Sequence, residues 1–164
     1  MRTLVLGLGN PILTDDGVGV LVAEEVRTSL PPDSKVDITE VSVGGLTLME
    51  SMIGYERVIL IDAIQQPGVA PGSVRRMTLE ELRSISPTQH SSSPHDASLV
   101  TALQIGERMG LNLPGEITIF AVQVDNITDF CDQPTPAVAA AIPKVTEAVL
   151  REILANGSKT ETDR

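Results

Sequence analysis

The chain has no tryptophan, one tyrosine and two phenylalanines. Val, Ile, Leu and Ala must therefore fill its interior, and aromatic platforms for stacking nucleic-acid bases are not expected. Cysteine occurs once, as Cys131, which excludes an internal disulfide framework and a Cys-rich zinc site and fits a reducing cytoplasm. Basic residues are scarce: 12 Lys and Arg against 22 Asp and Glu give a net charge of −10. A nucleic-acid footprint needs clustered cations to displace counterions, so nucleic acid is not an expected partner, and an anionic membrane surface is disfavoured on the same ground. Apolar runs such as that from Arg57 to Ile64 are far shorter than the ~20 residues of a membrane span. No charged n-region with a long apolar h-region opens the chain. A cytoplasmic monomer is the expectation, since no exposed apolar helix face demands a partner.

What is present is enough for one domain: 164 residues, 41% of them hydrophobic, can bury a sizeable core. Arg2 to Leu6 reads as an apolar strand, Val18 to Ser29 as a helix, and Pro31-Pro32-Asp33 as a break before the alternating Val36, Ile38 and Val41. Gly44-Gly45 opens a short helix from Leu46 to about Ile53. Arg57 to Asp62 is near-continuously apolar, as strands buried on both faces are. After turns in Gln65 to Ser73 come a strand at Val74 to Met77, expected to run antiparallel, and a helical piece at Leu79 to Arg83. A polar loop over Ser84 to Pro94 precedes a helix from Asp96 to Met109 closed by Gly110. Ile117 to Val124 is the next strand. Thr135 can cap a last helix whose N1 residue is Pro136 and which Pro143 should bend. Strands alternating with helices at this spacing indicate an α/β fold, a doubly wound, mostly parallel twisted sheet of about five strands with helices on both faces. Residues 1–155 form the expected domain and 156–164 a polar, frayed tail.

The chemistry should collect beyond the carboxyl ends of the strands. The segment GLGNPILTDDGVG, residues 7 to 19, is a glycine-rich turn between strand and helix that ends in two acids, Asp15 and Asp16, where a dinucleotide fingerprint would have a third glycine. Phosphate would be repelled there, and a cation attracted. Acids in a first turn are also ordinary partners of the helix dipole. That reading suits Asp15, whereas one cap needs one carboxylate and Asp16 is left over. Asp62 ends the run VILID, and His95 stands immediately before a helix. Asp16, Asp62 and His95 can face one crevice, a set with open positions suited to a divalent metal such as nickel or zinc. Asp62 could equally bond local N–H groups, and His95 could cap its helix. His90 reads as solvated. Cys131 has no neighbouring His or helix start to activate it, and Asn10 with Gly44-Gly45 serves loop geometry.

GLGNPILTDDGVG, RVILIDA, SPHDASL and IFAVQVDN, in this order over nearly the whole chain, resemble the hydrogenase maturation proteases. The resemblance implies an endopeptidase that removes a C-terminal extension from the nickel-loaded large-subunit precursor of a nickel–iron hydrogenase, with nickel carried by the substrate as recognition signal. It also implies Asp16, Asp62 and His95 as the metal ligands, with zinc or another divalent metal able to substitute for nickel. No Ser–His pair or activated Cys is evident for scission. One departure is that Gln123 is followed by Val124-Asp125, where the family often has Pro after Glu or Gln. Two rivals are weaker. A peptidyl-tRNA hydrolase-like esterase also opens with GLGNP, but it needs a His soon afterwards, and none precedes His90. A non-catalytic nucleotide-binding module would set Asp15 and Asp16 against phosphate.

Overall fold

The structure, a computed structural model, describes residues 1–42, 44–84 and 95–155. Five strands form one sheet: β1 (Thr3–Leu8), β2 (Val36–Val41), β3 (Arg57–Ile64), β4 (Val74–Thr78) and β5 (Glu116–Gln123), in the spatial order β2-β1-β3-β5-β4. β2, β1, β3 and β5 are parallel, and β4 pairs antiparallel with β5 at the edge. The doubly wound expectation and the antiparallel strand are both found. β1 and β3 are buried along their whole length, which explains their unbroken apolar runs.

The helices are α1 (Val18–Ser29), α2 (Leu46–Ser51), α3 (Leu79–Ser84), α4 (His95–Arg108) and α5 (Pro136–Ala155). Side-chain alternation along the strands divides the core in two. Leu4, Leu6, Val58 and Leu60 pack with Leu48 and Met49 of α2 and Leu99 and Leu103 of α4. Val5, Ile59, Ile61 and Phe120 pack with Val22 of α1 and Val145 of α5. α5 continues as helix through Pro143. Thr135 takes the expected position at its start, where its carbonyl accepts the Ala139 N–H at 2.9 Å.

Two local results differ from expectation. β3 continues two residues past Asp62, because Ala63 and Ile64 pair with Val122 and Gln123 of β5 and bury on opposite faces. Asp62 is thus inside the strand. Between β1 and α1 the chain forms a 3-10 turn, Thr14–Gly17, and α1 begins at the backbone of Gly17 without a side-chain cap. Neither Asp15 nor Asp16 caps it.

The glycines of the first loop serve close approach. A Cβ on Gly19 would lie 2.4 Å from the carbonyl oxygens of both Ile61 and Leu8, and one on Gly9 would lie 1.9 Å from the Asp16 carbonyl oxygen. The start of α1 is therefore wedged between β1 and β3, and the acidic turn is pressed onto the end of β1.

Candidate functional site

The chain leaves β1 towards β2 on one side and returns to β3 on the other, so the topological switch point lies between the carboxyl ends of β1 and β3. Crevices in open α/β sheets form there. The 3-10 turn carrying Asp15 and Asp16 follows β1 directly and packs against β3. Asp62 lies near the end of β3 and, by alternation, points to the face of Leu60 and Ile64, the face covered by α2 and α4.

α4 brings the third residue to the same edge. The turn after α4 sits at the opposite, amino-terminal edge, where Asn112 accepts the Gly54 N–H at 2.9 Å and Glu56 accepts the Gly115 N–H at 3.1 Å. A helix of 14 residues spans about 20 Å. Its first residue, His95, consequently stands at the carboxyl edge, on the face to which Asp62 points. The His95 side chain and His90 lie outside the described residues. Among the described residues no group of three His, Cys, Asp or Glu side chains is close enough to hold a metal.

The adjacent acids have different surroundings. Asp15 is fully buried. Its Oδ2 accepts the N–H groups of Asp125 and Asn126, each at 3.0 Å, and its Oδ1 accepts the Thr135 N–H at 2.7 Å. The Thr135 hydroxyl donates to the same carboxylate, at 2.8 Å to Oδ2. Asp15 therefore ties the first loop to the segment between β5 and α5. The expected cap role is replaced by a structural clasp onto residues more than a hundred positions away, which no local pattern announces. Asp16 is also buried, yet only its Oδ2 is engaged, by the Asn10 N–H at 2.9 Å. Oδ1 accepts no hydrogen bond, and the carboxylate has no ion-pair partner, among the described residues. A buried carboxylate with a spare oxygen can donate it to a divalent cation. Asp62, 4% exposed, accepts the N–H of Ala63 at 2.8 Å.

The neighbouring loops are stitched to the turn. Thr14 N–H donates to the Cys131 carbonyl at 2.9 Å, Cys131 N–H to the Ile12 carbonyl at 3.0 Å, and the Thr14 hydroxyl to the Asp129 carbonyl at 2.6 Å. These bonds hold Thr14 at φ +51°, a conformation β-branched residues rarely adopt and one that is retained where surrounding structure enforces it. Gln123 is buried, and its amide is engaged with the backbone of Gln66, accepting from N–H and donating to the carbonyl, both at 3.1 Å. It secures the loop after β3. Asn10 closes its own turn by accepting the Ile12 N–H at 3.2 Å. Cys131 is exposed and forms no disulfide, and its Sγ accepts the Gln133 N–H at 3.4 Å.

The family model described as hydrogenase maturation protease matches residues 20–152, a span that contains Asp62 and His95 and begins just after Asp16. This chain belongs to the hydrogenase maturation protease family. Among similar proteins, the Hydrogenase 2 maturation protease of Escherichia coli (strain K12) is 29% identical over 157 residues, covering 96% of this chain and 93% of that protein. The solved structure of the hydrogenase maturating endopeptidase HybD from E. coli superposes with a TM-score of 0.82 at 30% identity, covering 96% of this chain and 94% of that one. The [NiFe] hydrogenase maturation protease HybD from Thermococcus kodakarensis gives a TM-score of 0.74 at 25% identity, covering 93% and 99%. This maturation protease is thus an endopeptidase with the α/β fold of those relatives. No helix among its described residues is long and apolar enough to cross a membrane.

Proposed function

We propose that this maturation protease removes a C-terminal extension from the large-subunit precursor of a nickel–iron hydrogenase after nickel has been inserted, and that Asp16, Asp62 and His95 read the nickel carried by the substrate. The supporting observation is the placement of two buried carboxylates beside the switch point, Asp16 in the turn after β1 and Asp62 near the end of β3, with the first residue of α4 at the same edge on the face of Asp62. Carboxylate and imidazole ligands suit a divalent first-row ion. With the ion shared between precursor and enzyme, the peptide bond beside it is fixed against this edge. A water attacks the scissile carbonyl, one of the two aspartates accepts its proton, and the same carboxyl hands that proton to the amide nitrogen as the C–N bond breaks. The reaction belongs in the cytoplasm, where Cys131 stays reduced, with the enzyme acting as a monomer.

The test is processing of purified precursor in nickel-loaded and nickel-free forms. Only the loaded form should be shortened, and Asp16→Asn, Asp62→Asn and His95→Ala should each abolish shortening while melting as folded proteins. Equal cleavage of the two forms would refute nickel reading.

A further inference from the structure

Phe130 is 83% exposed and Ile12 is 54% exposed, in a chain whose only other phenylalanine, Phe120, lies in the core. The two are carried by backbones paired with each other: Leu13 and Cys131 form a parallel bridge, flanked by the bonds between Cys131 and Ile12 and between Thr14 and Cys131. The same turn carries Asp16, through the Asn10 N–H bond to its carboxylate and the Asp16 N–H bond to the Leu13 carbonyl at 3.0 Å. An exposed aromatic residue on a backbone already fixed by hydrogen bonds has only its side-chain rotamers left to order on binding, which suits an interface anchor.

The charge around this pair selects its occupant. The loops that follow the parallel strands at the carboxyl edge, residues 9–17, 42–45, 65–73 and 124–135, contain no Lys or Arg, while they hold Asp15, Asp16, Asp125, Asp129 and Asp132. Arg2, Lys35, Arg57 and Arg108 lie at the opposite edge. A second copy docking here would set aspartates against aspartates, and an anionic lipid surface would be repelled. A polypeptide carrying positive charge is complementary.

We propose that Ile12 and Phe130, on a backbone already held in place, form an apolar anchor beside Asp16, taking an apolar side chain from a segment of the polypeptide substrate that also carries Lys or Arg. The proposal rests on the peptidase reading above and deepens it. The anchor contributes affinity away from the cleaved bond, and the exposed Asp125, Asp129 and Asp132 orient the basic residues. It acts whether or not the substrate is loaded with nickel.

Processing kinetics of the nickel-loaded large-subunit precursor test it. The Ile12→Ala/Phe130→Ala double variant should melt like the wild type, raise KM about tenfold and change kcat less than about twofold, because a side chain buried only in the complex adds binding energy without touching the chemistry. Phe130→Leu should recover most of the loss. Unchanged KM in the double variant, with normal cleavage by the wild type, overturns the anchor and leaves the peptidase reading standing. If the wild type cleaves no precursor, that reading fails. The anchor is then tested with an environment-sensitive dye on Cys131 and two peptides that differ only in whether Lys and Arg or Asp and Glu flank a central Leu. Preferential binding of the basic peptide, weakened about tenfold by Phe130→Ala, upholds it; equal binding of the two, or indifference to Phe130→Ala, overturns it. A wild-type dimer abolished by Phe130→Ala would also overturn it, by giving the pair to a second copy.

Discussion

Replacing Asp15 by asparagine keeps the side-chain size and removes the charge from a fully buried group that accepts three backbone N–H groups and one hydroxyl. If the remaining oxygen stays where Oδ2 accepts the Asp125 and Asn126 N–H groups, the new amide NH2 faces the Thr135 N–H across 2.7 Å, donor against donor. Losing that acceptor costs about 1–3 kcal/mol, and the two retained bonds each weaken by several tenths once the acceptor is neutral. The sum is about 3 kcal/mol. For a chain of this length that lowers Tm by roughly 6–12 °C. Asp16→Asn, whose carboxylate accepts only the Asn10 N–H, should cost less than about 1 kcal/mol. Thermal and urea denaturation of the two variants, measured beside precursor processing, separate the neighbours: Asp15→Asn loses stability, and Asp16→Asn loses activity at near-normal stability. A melting point for Asp15→Asn within about 2 °C of wild type, or equal destabilisation by both substitutions, would refute the clasp.

Further consequences are measurable. Arg57 is buried at the start of β3, where it bonds Glu152 of α5 at 2.9 Å, while Arg76 bonds the same carboxylate and, with burial opposing, holds its pKa below the ordinary value. The contribution of Glu152 is therefore present above the unfolded glutamate range, about pH 4.3, and lost as pH falls through the depressed folded value. Glu152→Gln should remove about 3 kcal/mol at neutral pH, the low end for a broken buried pair because Glu116 remains 3.4 Å from Arg57, and should flatten the acid limb of a stability–pH curve. Gly19→Ala should lower Tm by roughly 6–12 °C in a melting experiment, since backbone oxygens on both sides leave no room to relax. Gln123→Ala should cost about 1–2 kcal/mol and speed amide exchange at Gln66.

The fold was legible wherever burial leaves a period in the chain. The apolar runs at Leu4–Leu6 and Val58–Ile61 read as doubly buried strands, and the antiparallel edge strand at Val74 followed from the turns that precede it. What pattern could not supply was partnership across distance. Asp15 looked like a helix cap because its neighbours are a helix start, whereas its donors come from residues 125 to 135. Asp62 looked like a strand terminus, because the acid interrupts the apolar run although hydrogen bonding continues through Ile64. Phe130 and Ile12 carry no periodic signal; only the pairing of their loops sets them beside Asp16. The absence of Lys and Arg from the edge loops was readable in the sequence, but its meaning depends on knowing which loops share an edge.

The Asp15 bonds join positions 110, 111 and 120 residues apart, and closing so long a loop makes their formation a late, entropically opposed event in folding. During synthesis the acidic turn precedes its donors by more than a hundred residues, and its lock is complete only once residues 125 to 135 have followed it. A truncated chain ending before Thr135 lacks that residue's half of the lock, and its acidic turn is held less firmly.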